Sequence, residues 1–347
     1  QFINGGDDED TVTVDATTIV STIAGGEGGS DYDTLYVVGG LTVTMGGTVT
    51  QFEEVILDEA TVFTANTEDN LLITGSTGAD NITTGNAATT QTVNAGTGND
   101  DITLGGDGQT INGEGDDDTV RTTGTLLAGA TIDGGANTDT LYITSNSADM
   151  NDATSITNFE IVTLSVSGTT FVANDDGTLT INGSGGADTI TVGHEDQIVN
   201  AGAGADVIIA TYAQVSTTLA DFNGDGDGDT LRISDAATAL ADADFTNLDS
   251  IETLQLLDAT GAAQTVTLDT NAEDSLLATV NASAATAGNA VTVNAANFDN
   301  ALAITTGAGD DVITLGSVTQ SATTHGDDDT VTLGPGANAV STGAGSD

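Results

Sequence analysis

A short motif recurs along the chain, in which glycines precede an aspartate and an aliphatic residue follows that aspartate two positions later. Three nearly regular copies lie at residues 96–102, 202–208 and 307–313. Looser copies keep the aspartate and the aliphatic residue, and their aspartates are Asp10, Asp33, Asp80, Asp118, Asp139, Asp188, Asp229 and Asp329. Repetition at a short fixed period is typical of architectures in which stacked units share one continuous core.

A step of 18 residues recurs between motif aspartates. It separates Asp100 from Asp118, Asp188 from Asp206, Asp311 from Asp329, and Asp329 from Asp347. If one coil contains two strands and two turns, this step returns to the same turn one coil later, and the aspartates form a row. The opposite turn has Thr110 or the acid-free residues 317–321 where an aspartate would be expected. Metal binding is therefore predicted mainly on one edge of the roll.

Short β-branched and aliphatic runs between glycine-rich turns predict strands, for example at residues 35–38, 141–143 and 161–164. Helical patterns are confined to residues 235–245 and 271–277. Aromatic residues make up 3% of the chain, too few for a large conventional core, but stacked coils can bury their apolar residues against each other. We therefore predict an all-β fold, a parallel β-roll or β-helix (solenoid), with metal-poor β segments between the motif coils.

The charge of the chain requires either disorder or bound cations. There are 53 acidic and 2 basic residues, giving a formal net charge of -51. Hydrophobic residues make up 37% of the chain and alternate with polar ones, as in residues 11–14, which is not typical of an acidic disordered tail. Calcium takes roughly 6–8 oxygen ligands from carboxylates and carbonyls, and glycines let carbonyls turn inward. We therefore predict that folding and calcium binding are one event.

Several functions are excluded or disfavoured by the same composition. Nucleic acids and anionic membrane surfaces need Lys and Arg, and no apolar run is long enough for membrane insertion. The two histidines, His194 and His325, lie in turn sequences, and no nucleophile elbow is present. Carboxylate pairs occur throughout, so they do not indicate acid–base catalysis. We predict that the chain is not an enzyme.

A longer repeat overlies the short one. The sequence at residues 33–37 recurs at 139–143 and 229–233, and each copy is followed by an acidic-aliphatic strand, at 52–57, 159–164 and 251–256. This predicts three tandem solenoid modules, 25–128, 129–222 and 223–347, after the end of a preceding coil at 1–24. Because the chain starts at Gln1 and ends within a motif at Asp347, we expect it to be part of a longer protein.

The motifs resemble the nonapeptides of the RTX family. Their alternation with segments such as 228–233 and 249–254 resembles the branch containing bacterial S-layer proteins and large adhesins. The resemblance covers most of the chain and implies calcium ions between stacked turns. Carried over by motif position, it implies metal ligands at Asp10, Asp33, Asp80, Asn99, Asp100, Asp118, Asp139, Asp188, Asp206, Asp229, Asp311 and Asp329.

Two motifs depart from the family pattern. Asn137 replaces the third glycine before Asp139, and residues 324–325 replace the glycine pair before Asp329. These departures predict weak or empty calcium sites at both aspartates.

The resemblance implies a secreted, extracellular protein of the bacterial cell surface, a structural S-layer or matrix component that assembles through calcium. Its expected partners are copies of itself in a sheet or filament, with cell-surface polysaccharide as a further candidate. Two alternatives remain open. The first is a calcium-rigidified repeat region of a large RTX adhesin. The second is the repeat region of a secreted RTX enzyme or toxin whose active domain lies outside this chain.

Overall fold

The computed structural model describes residues 2–15, 22–26, 31–40, 42–68, 70–86, 90–235, 239–257, 263–286 and 288–347. Over these residues the fold is an all-β parallel solenoid of about 16 stacked turns, which confirms the predicted fold class. The chain divides into two compact units, Gln1–Val166 and Ser167–Asp347. The boundaries of the three predicted modules stay a prediction.

The first unit is built from parallel sheets. Its described strands are β1 (Phe2–Gly6), β2 (Thr11–Val14), β3 (Thr22–Gly26), β4 (Thr34–Val37), β5 (Thr42–Thr44), β6 (Val49–Thr50), β7 (Glu54–Leu57), β8 (Val62–Thr64), β9 (Leu72–Thr74), β10 (Asn81–Thr83), β11 (Thr92–Asn94), β12 (Asp101–Thr103), β13 (Thr110–Asn112), β14 (Thr119–Thr122), β15 (Thr131–Asp133), β16 (Thr140–Ile143), β17 (Ser147–Asp149), β18 (Ser155–Thr157) and β19 (Ile161–Leu164). Helix α1 (Gly124–Leu127) and a 3₁₀ helix (Met150–Asp152) interrupt them.

Two large sheets of the first unit face each other across the coil. One contains β2, β4, β7, β9, β11, β13, β15 and β18, and the other contains β5, β8, β10, β12, β14, β16 and β19. Strands β1, β3 and β6 form a small third sheet. From β7 to β16, consecutive strands alternate between the two large sheets, so each coil contributes one strand to each.

The second unit repeats this arrangement. Its described strands are β20 (Thr170–Val172), β21 (Thr180–Asn182), β22 (Thr189–Thr191), β23 (Ile198–Asn200), β24 (Val207–Ala210), β25 (Asp221–Asn223), β26 (Thr230–Ile233), β27 (Leu248–Asp249), β28 (Thr253–Leu256), β29 (Gln264–Thr267), β30 (Thr279–Ala282), β31 (Val291–Asn294), β32 (Leu302–Thr306), β33 (Val312–Thr314), β34 (Gln320–Thr323), β35 (Thr330–Thr332) and β36 (Ala339–Ser341). The even-numbered strands from β20 to β36 form one sheet. The odd-numbered strands face it, first β21, β23, β25 and β27 and then, in a separate sheet, β29, β31, β33 and β35.

Columns of identical or similar apolar residues form the core, because the coils stack in register. Phe63, Ile82, Ile102, Val120 and Leu141 occupy successive strands of one sheet, and each is fully buried. Burying one such side chain stabilises the fold by about 1.5–3 kcal/mol. The stacked columns therefore provide the core that the low aromatic content alone could not.

Strand predictions agree with the structure better than helix predictions. Residues 161–164 form β19 as predicted, and the other two predicted strands lie within β4 and β16 apart from one residue. Of the predicted helical residues 235–245, only a 3₁₀ helix (Asp242–Phe245) forms among the described ones; residues 236–238 lie outside the description. Of residues 271–277, helix α3 (Thr270–Asp274) covers the first part, and α2 (Tyr212–Val215) was not predicted. The longest described helix has five residues, too few to cross a bilayer.

Buried glutamines close several of the turns that have no motif aspartate. Gln197 is fully buried. Its Oε1 accepts a hydrogen bond from the Gly193 N–H at 2.8 Å, and its Nε2 donates to the carbonyls of Asn174 and Asp176 at 3.0 Å. Gln320 likewise accepts from the Gly316 N–H at 2.7 Å. Because an amide both donates and accepts, these turns satisfy their own polar groups.

Replacing Gln197 by alanine is expected to lower the free energy of unfolding by roughly 2–4 kcal/mol, because buried backbone groups lose their partners. Denaturant unfolding with and without the substitution measures this loss. The matched control is Gln255→Ala, whose side chain accepts from Arg232 on the outer surface at 2.7 Å, and which should cost about 1 kcal/mol or less. Equal unfolding midpoints for the two variants would contradict the role assigned to the buried amide.

Candidate metal-binding ladders

Many of the motif turns are shaped by residues with positive φ ahead of the aspartate. Before Asp206, Gly202 and Gly204 have φ of +96° and +128°. Glycine adopts this left-handed region without a steric penalty. Asp116, two residues before Asp118, takes φ +76° although it is not glycine. The turn geometry is therefore retained where the sequence departs from the glycine pattern.

From Asp33 onward, the carboxylate of each motif aspartate joins its coil to the coil before it. Asp118 Oδ1 accepts a hydrogen bond from the backbone N–H of Asp100 at 2.7 Å, and Asp139 Oδ1 accepts one from Asp118 at 2.7 Å. The same bond links, from donor to acceptor, Asp10 to Asp33 (2.9 Å), Asp80 to Asp100 (2.7 Å), Asp188 to Asp206 (2.6 Å), Asp206 to Asp229 (2.7 Å), Asp311 to Asp329 (3.0 Å) and Asp329 to Asp347 (3.1 Å). We call each continuous run of these bonds a ladder.

Three of the ladders end in a glutamate. Glu53, Glu160 and Glu252 accept from the N–H of Asp33, Asp139 and Asp229 at 2.7, 2.8 and 2.7 Å respectively. Four ladders result among the described residues: the first (Asp10, Asp33, Glu53), the second (Asp80, Asp100, Asp118, Asp139, Glu160), the third (Asp188, Asp206, Asp229, Glu252) and the fourth (Asp311, Asp329, Asp347).

The prediction of a single aspartate edge is wrong for both units. In the first unit, the first ladder precedes β2, β4 and β7. The second precedes β10, β12, β14, β16 and β19, which lie in the facing sheet. In the second unit, the third and fourth ladders likewise precede strands of facing sheets. The physical reason is that a glutamate ends one ladder, and the next motif aspartate falls in the other turn of its coil.

Sequence analysis missed two groups of residues in these turns. Gln109 and Gln320 are buried in turns that lack a motif aspartate, so amide side chains close these turns. The glutamates at the ladder ends had been noted only as part of acidic-aliphatic strands. Their recurrence at the same point of the long repeat was the signal that could have identified them.

Both departures from the family pattern preserve the ladder. Asn137 adopts φ +87°, a region that Asn tolerates better than most residues, and Asp139 is completely buried. His325 Nδ1 lies 2.6 Å from the Thr306 carbonyl oxygen, and Asp329 still accepts from Asp311. Weaker cation binding at these two aspartates stays a prediction. Asn99, the remaining predicted ligand, is exposed.

Seven of the twelve ladder aspartates keep one carboxylate oxygen buried without a hydrogen-bond partner. These atoms are Oδ2 of Asp100, Asp118, Asp139, Asp206, Asp229, Asp311 and Asp329. Asp80 and Asp188 differ, because a serine four residues earlier donates its N–H to their Oδ2, at 2.7 Å from Ser76 and 2.6 Å from Ser184. A buried carboxylate oxygen without a partner is costly, so it requires either a proton or a cation.

The raised pKa values of the ladder aspartates reflect the same cost of burying a charged carboxylate. Burial raises the pKa of Asp100 and Asp118 to about 7, and neighbouring ladder carboxylates add to the rise while the accepted backbone hydrogen bond opposes it. Burial likewise raises the pKa of Asp139, Asp206 and Asp229 to about 6. The charged ladder is therefore unfavourable near neutral pH unless positive charge is supplied.

The oxygen atoms around the ladders fit a hard cation such as calcium. At Gly113, the point where a Cβ would lie is 2.5 Å from Asp118 Oδ2 and 2.0 Å from the carbonyl oxygen of Gly134 in the next coil. A carboxylate and a carbonyl thus converge where only glycine leaves room, and calcium binds both. In the described part of the chain, no three acidic, histidine or cysteine side chains alone could hold a metal ion. A cation on a ladder would therefore need carbonyl oxygens as well.

A second row of carboxylates lies beside the ladders and bonds in the opposite direction. Asp310 Oδ1 accepts from the N–H of Asp328 in the following coil at 3.0 Å, and Asp328 Oδ1 accepts from Ser346 at 2.8 Å. Asp117 accepts from Thr138 in the same way at 2.9 Å. These side chains are exposed or half-buried, so this outer row adds negative charge at the surface of the turns.

In the protein freed of divalent cations, stability is expected to fall as pH rises. The folded ladder binds more protons than the unfolded chain between the ordinary aspartate pKa of 3.8 and the raised values of about 6 and about 7. The stabilisation is complete below the lower value and lost above the upper ones. Urea unfolding in buffers that bracket this window measures it, and Asp118→Asn should flatten the dependence. A midpoint that rises with pH would contradict the prediction.

No protein-family model, curated protein or solved structure matches the chain. The parallel solenoid of about 16 turns is compatible with an RTX-type β-roll. The geometry and charge of the ladders are therefore the features that point to a function.

Proposed function

We propose that the chain is a calcium-stabilised structural protein of the bacterial cell surface, secreted and assembled with copies of itself into a surface layer or matrix. The observation that carries this proposal is the set of seven buried ladder oxygens without a hydrogen-bond partner. They recur one coil apart, so any ion that satisfies one of them suits the others as well.

Calcium is the cation whose chemistry suits these oxygens best. It prefers carboxylate and carbonyl oxygens in flexible geometry, and extracellular modules bind it at roughly 10⁻⁴–10⁻³ M. The ladders supply carboxylates, and the glycine turns supply carbonyls. Binding that occurs only in the folded state stabilises it by mass action, so the chain would fold where calcium is abundant.

Assembly with identical copies also favours a cation. The whole chain has a net charge of -51, and its only basic residues are Arg121 and Arg232. Arg121 is engaged by Asp101 through two hydrogen bonds of 2.7 and 2.9 Å, and Arg232 donates to Gln255. Two copies therefore repel each other without bound cations, and the same applies to an acidic polysaccharide partner.

A repeat region of a large adhesin is the second candidate, because a stack of coils that contact mainly their neighbours serves well as a spacer. His194 Nδ1 accepts the N–H of Asp196 at 3.2 Å within one turn, a structural role that supports a non-enzymatic chain. In the third candidate, a secreted enzyme or toxin, these repeats would be the calcium-folded part next to an active domain.

Removing calcium at neutral pH is expected to abolish most of the β-sheet circular dichroism signal, and adding calcium should restore it, because neighbouring carboxylates within a ladder repel each other without it. Asp118→Asn combined with Asp206→Asn should reduce the calcium-dependent rise in melting temperature. Asp107→Asn with Asp175→Asn is the control, since both carboxylates are exposed. A β signal that survives complete calcium removal at neutral pH would overturn the proposed calcium dependence.

Calcium is also expected to drive assembly of the purified chain. Negative-stain electron microscopy and light scattering across a calcium titration should reveal sheets or filaments, since bound cations offset the repulsion between copies. Magnesium at the same ionic strength controls for simple screening. Soluble monomeric rods at saturating calcium would favour the adhesin spacer instead of the surface layer.

A further inference from the structure

Three ladders end in a glutamate, whereas their inner rungs are aspartates. Glu160 Oε2 lies 2.8 Å from the backbone nitrogen of Asp139, and Glu252 Oε2 lies 2.7 Å from that of Asp229. Glu53 makes the same bond to Asp33 at 2.7 Å. A side chain one methylene longer than aspartate thus closes three separate ladders in the same manner.

Main-chain carbonyls are turned toward these ends. Asn158 and Ser250, each two residues before the terminal glutamate, have φ of +57° and +53°. The carbonyl oxygen of Asn158 lies 2.1 Å from the point where a Cβ of Gly134 would be, and Asp139 Oδ2 lies 3.0 Å from the same point. At Gly224, the corresponding distances to Ser250 O and Asp229 Oδ2 are 2.1 and 2.5 Å.

Each end combines a buried carboxylate with a solvent-facing one. Asp139 and Asp229 are completely buried, and their Oδ2 atoms have no hydrogen-bond partner. Glu160 and Glu252 are half-buried. Glu160 contributes to the raised pKa of Asp139, after burial, so the two carboxylates are close enough to repel each other. Glu252 acts on Asp229 in the same way.

We propose that the second and third ladders each end in a cation site of a different kind from the inner rungs. Each site is formed by the buried Oδ2 of Asp139 or Asp229, the inward carbonyl of Asn158 or Ser250, and the carboxylate of Glu160 or Glu252. It takes a hard divalent cation of calcium size. Because the glutamate faces solvent, this site exchanges its ion faster than the inner rungs and is where calcium enters and leaves the ladder.

This inference rests on the proposed calcium binding of the ladders, and one pair of variants tests it separately. Glu160→Gln combined with Glu252→Gln keeps an oxygen that accepts the aspartate N–H, so the coil contact is retained while the charge is lost. The control is Glu59→Gln with Glu195→Gln, which removes the same charge from two exposed side chains. Circular dichroism in saturating calcium verifies that both variants fold.

Two measurements report on the sites. Native mass spectrometry counts bound calcium, and stopped-flow transfer to a fluorescent chelator measures its release. The double variant is expected to hold about two fewer ions than the wild type, in line with two lost oxygen-ligand sites, and to lack the fastest release phase. The control variant should retain both. If the double variant misfolds, Glu160→Asp with Glu252→Asp keeps the charge but shortens the reach, and should slow or remove the fast phase alone.

The outcomes separate the two proposals. A wild-type chain that binds calcium, with unchanged ion count and release kinetics in the double variant, overturns the terminal sites while the calcium ladders stand. Loss of the same ions in the control variant also overturns them, because the effect would then follow total charge. A wild-type chain that binds no calcium overturns both.

Discussion

The hydrogen bond from the backbone N–H of one motif aspartate to the carboxylate of the next is the interaction on which the stack depends. At 2.6 to 3.1 Å between successive aspartates, it fixes the turn of each coil against its neighbour. The strands that follow then pair in register, as Asp101 does with Thr119. The same bond holds the carboxylate in the interior and leaves its other oxygen without a hydrogen-bond partner. The contact that stacks the coils therefore also buries negative charge.

Glutamine turns and aspartate turns differ, and the comparison shows that a coil can be closed without a buried charge. Gln197 closes its turn with one accepted and two donated hydrogen bonds and leaves no ionisable group inside. Asp206 holds its turn with Oδ1 and leaves Oδ2 buried without a partner. An amide carries both donors and acceptors, whereas a carboxylate only accepts. Aspartate ladders therefore make the stability of the chain depend on protons or cations in the medium, and glutamine turns do not.

The fold could be predicted because the period of the aspartates and the alternation of apolar residues both survive in the sequence. The 18-residue steps placed Asp100 above Asp118, as the structure does. The ladder ends could not be predicted in this way, since the last steps, to the glutamates, are 20 to 23 residues long. Gln109 lies in a glycine-rich turn that lacks the motif aspartate, so its burial becomes visible only when the coil is closed. Short helices such as α2 depend on a local capping box at Thr211 rather than on periodicity.

Folding and self-association would require cations at different places in the molecule. The ladder oxygens are buried, so an ion held there neutralises the interior and leaves the outer row unchanged. Asp310 and Asp328 each use one oxygen to accept a backbone N–H and remain exposed. Arg121 is already paired with Asp101 and lies 4.7 Å from the Tyr142 ring centre, so it is not available to a second copy. Contacts between copies would therefore require further ions at the surface, beyond those that complete the ladders, and folding should saturate at lower calcium than assembly.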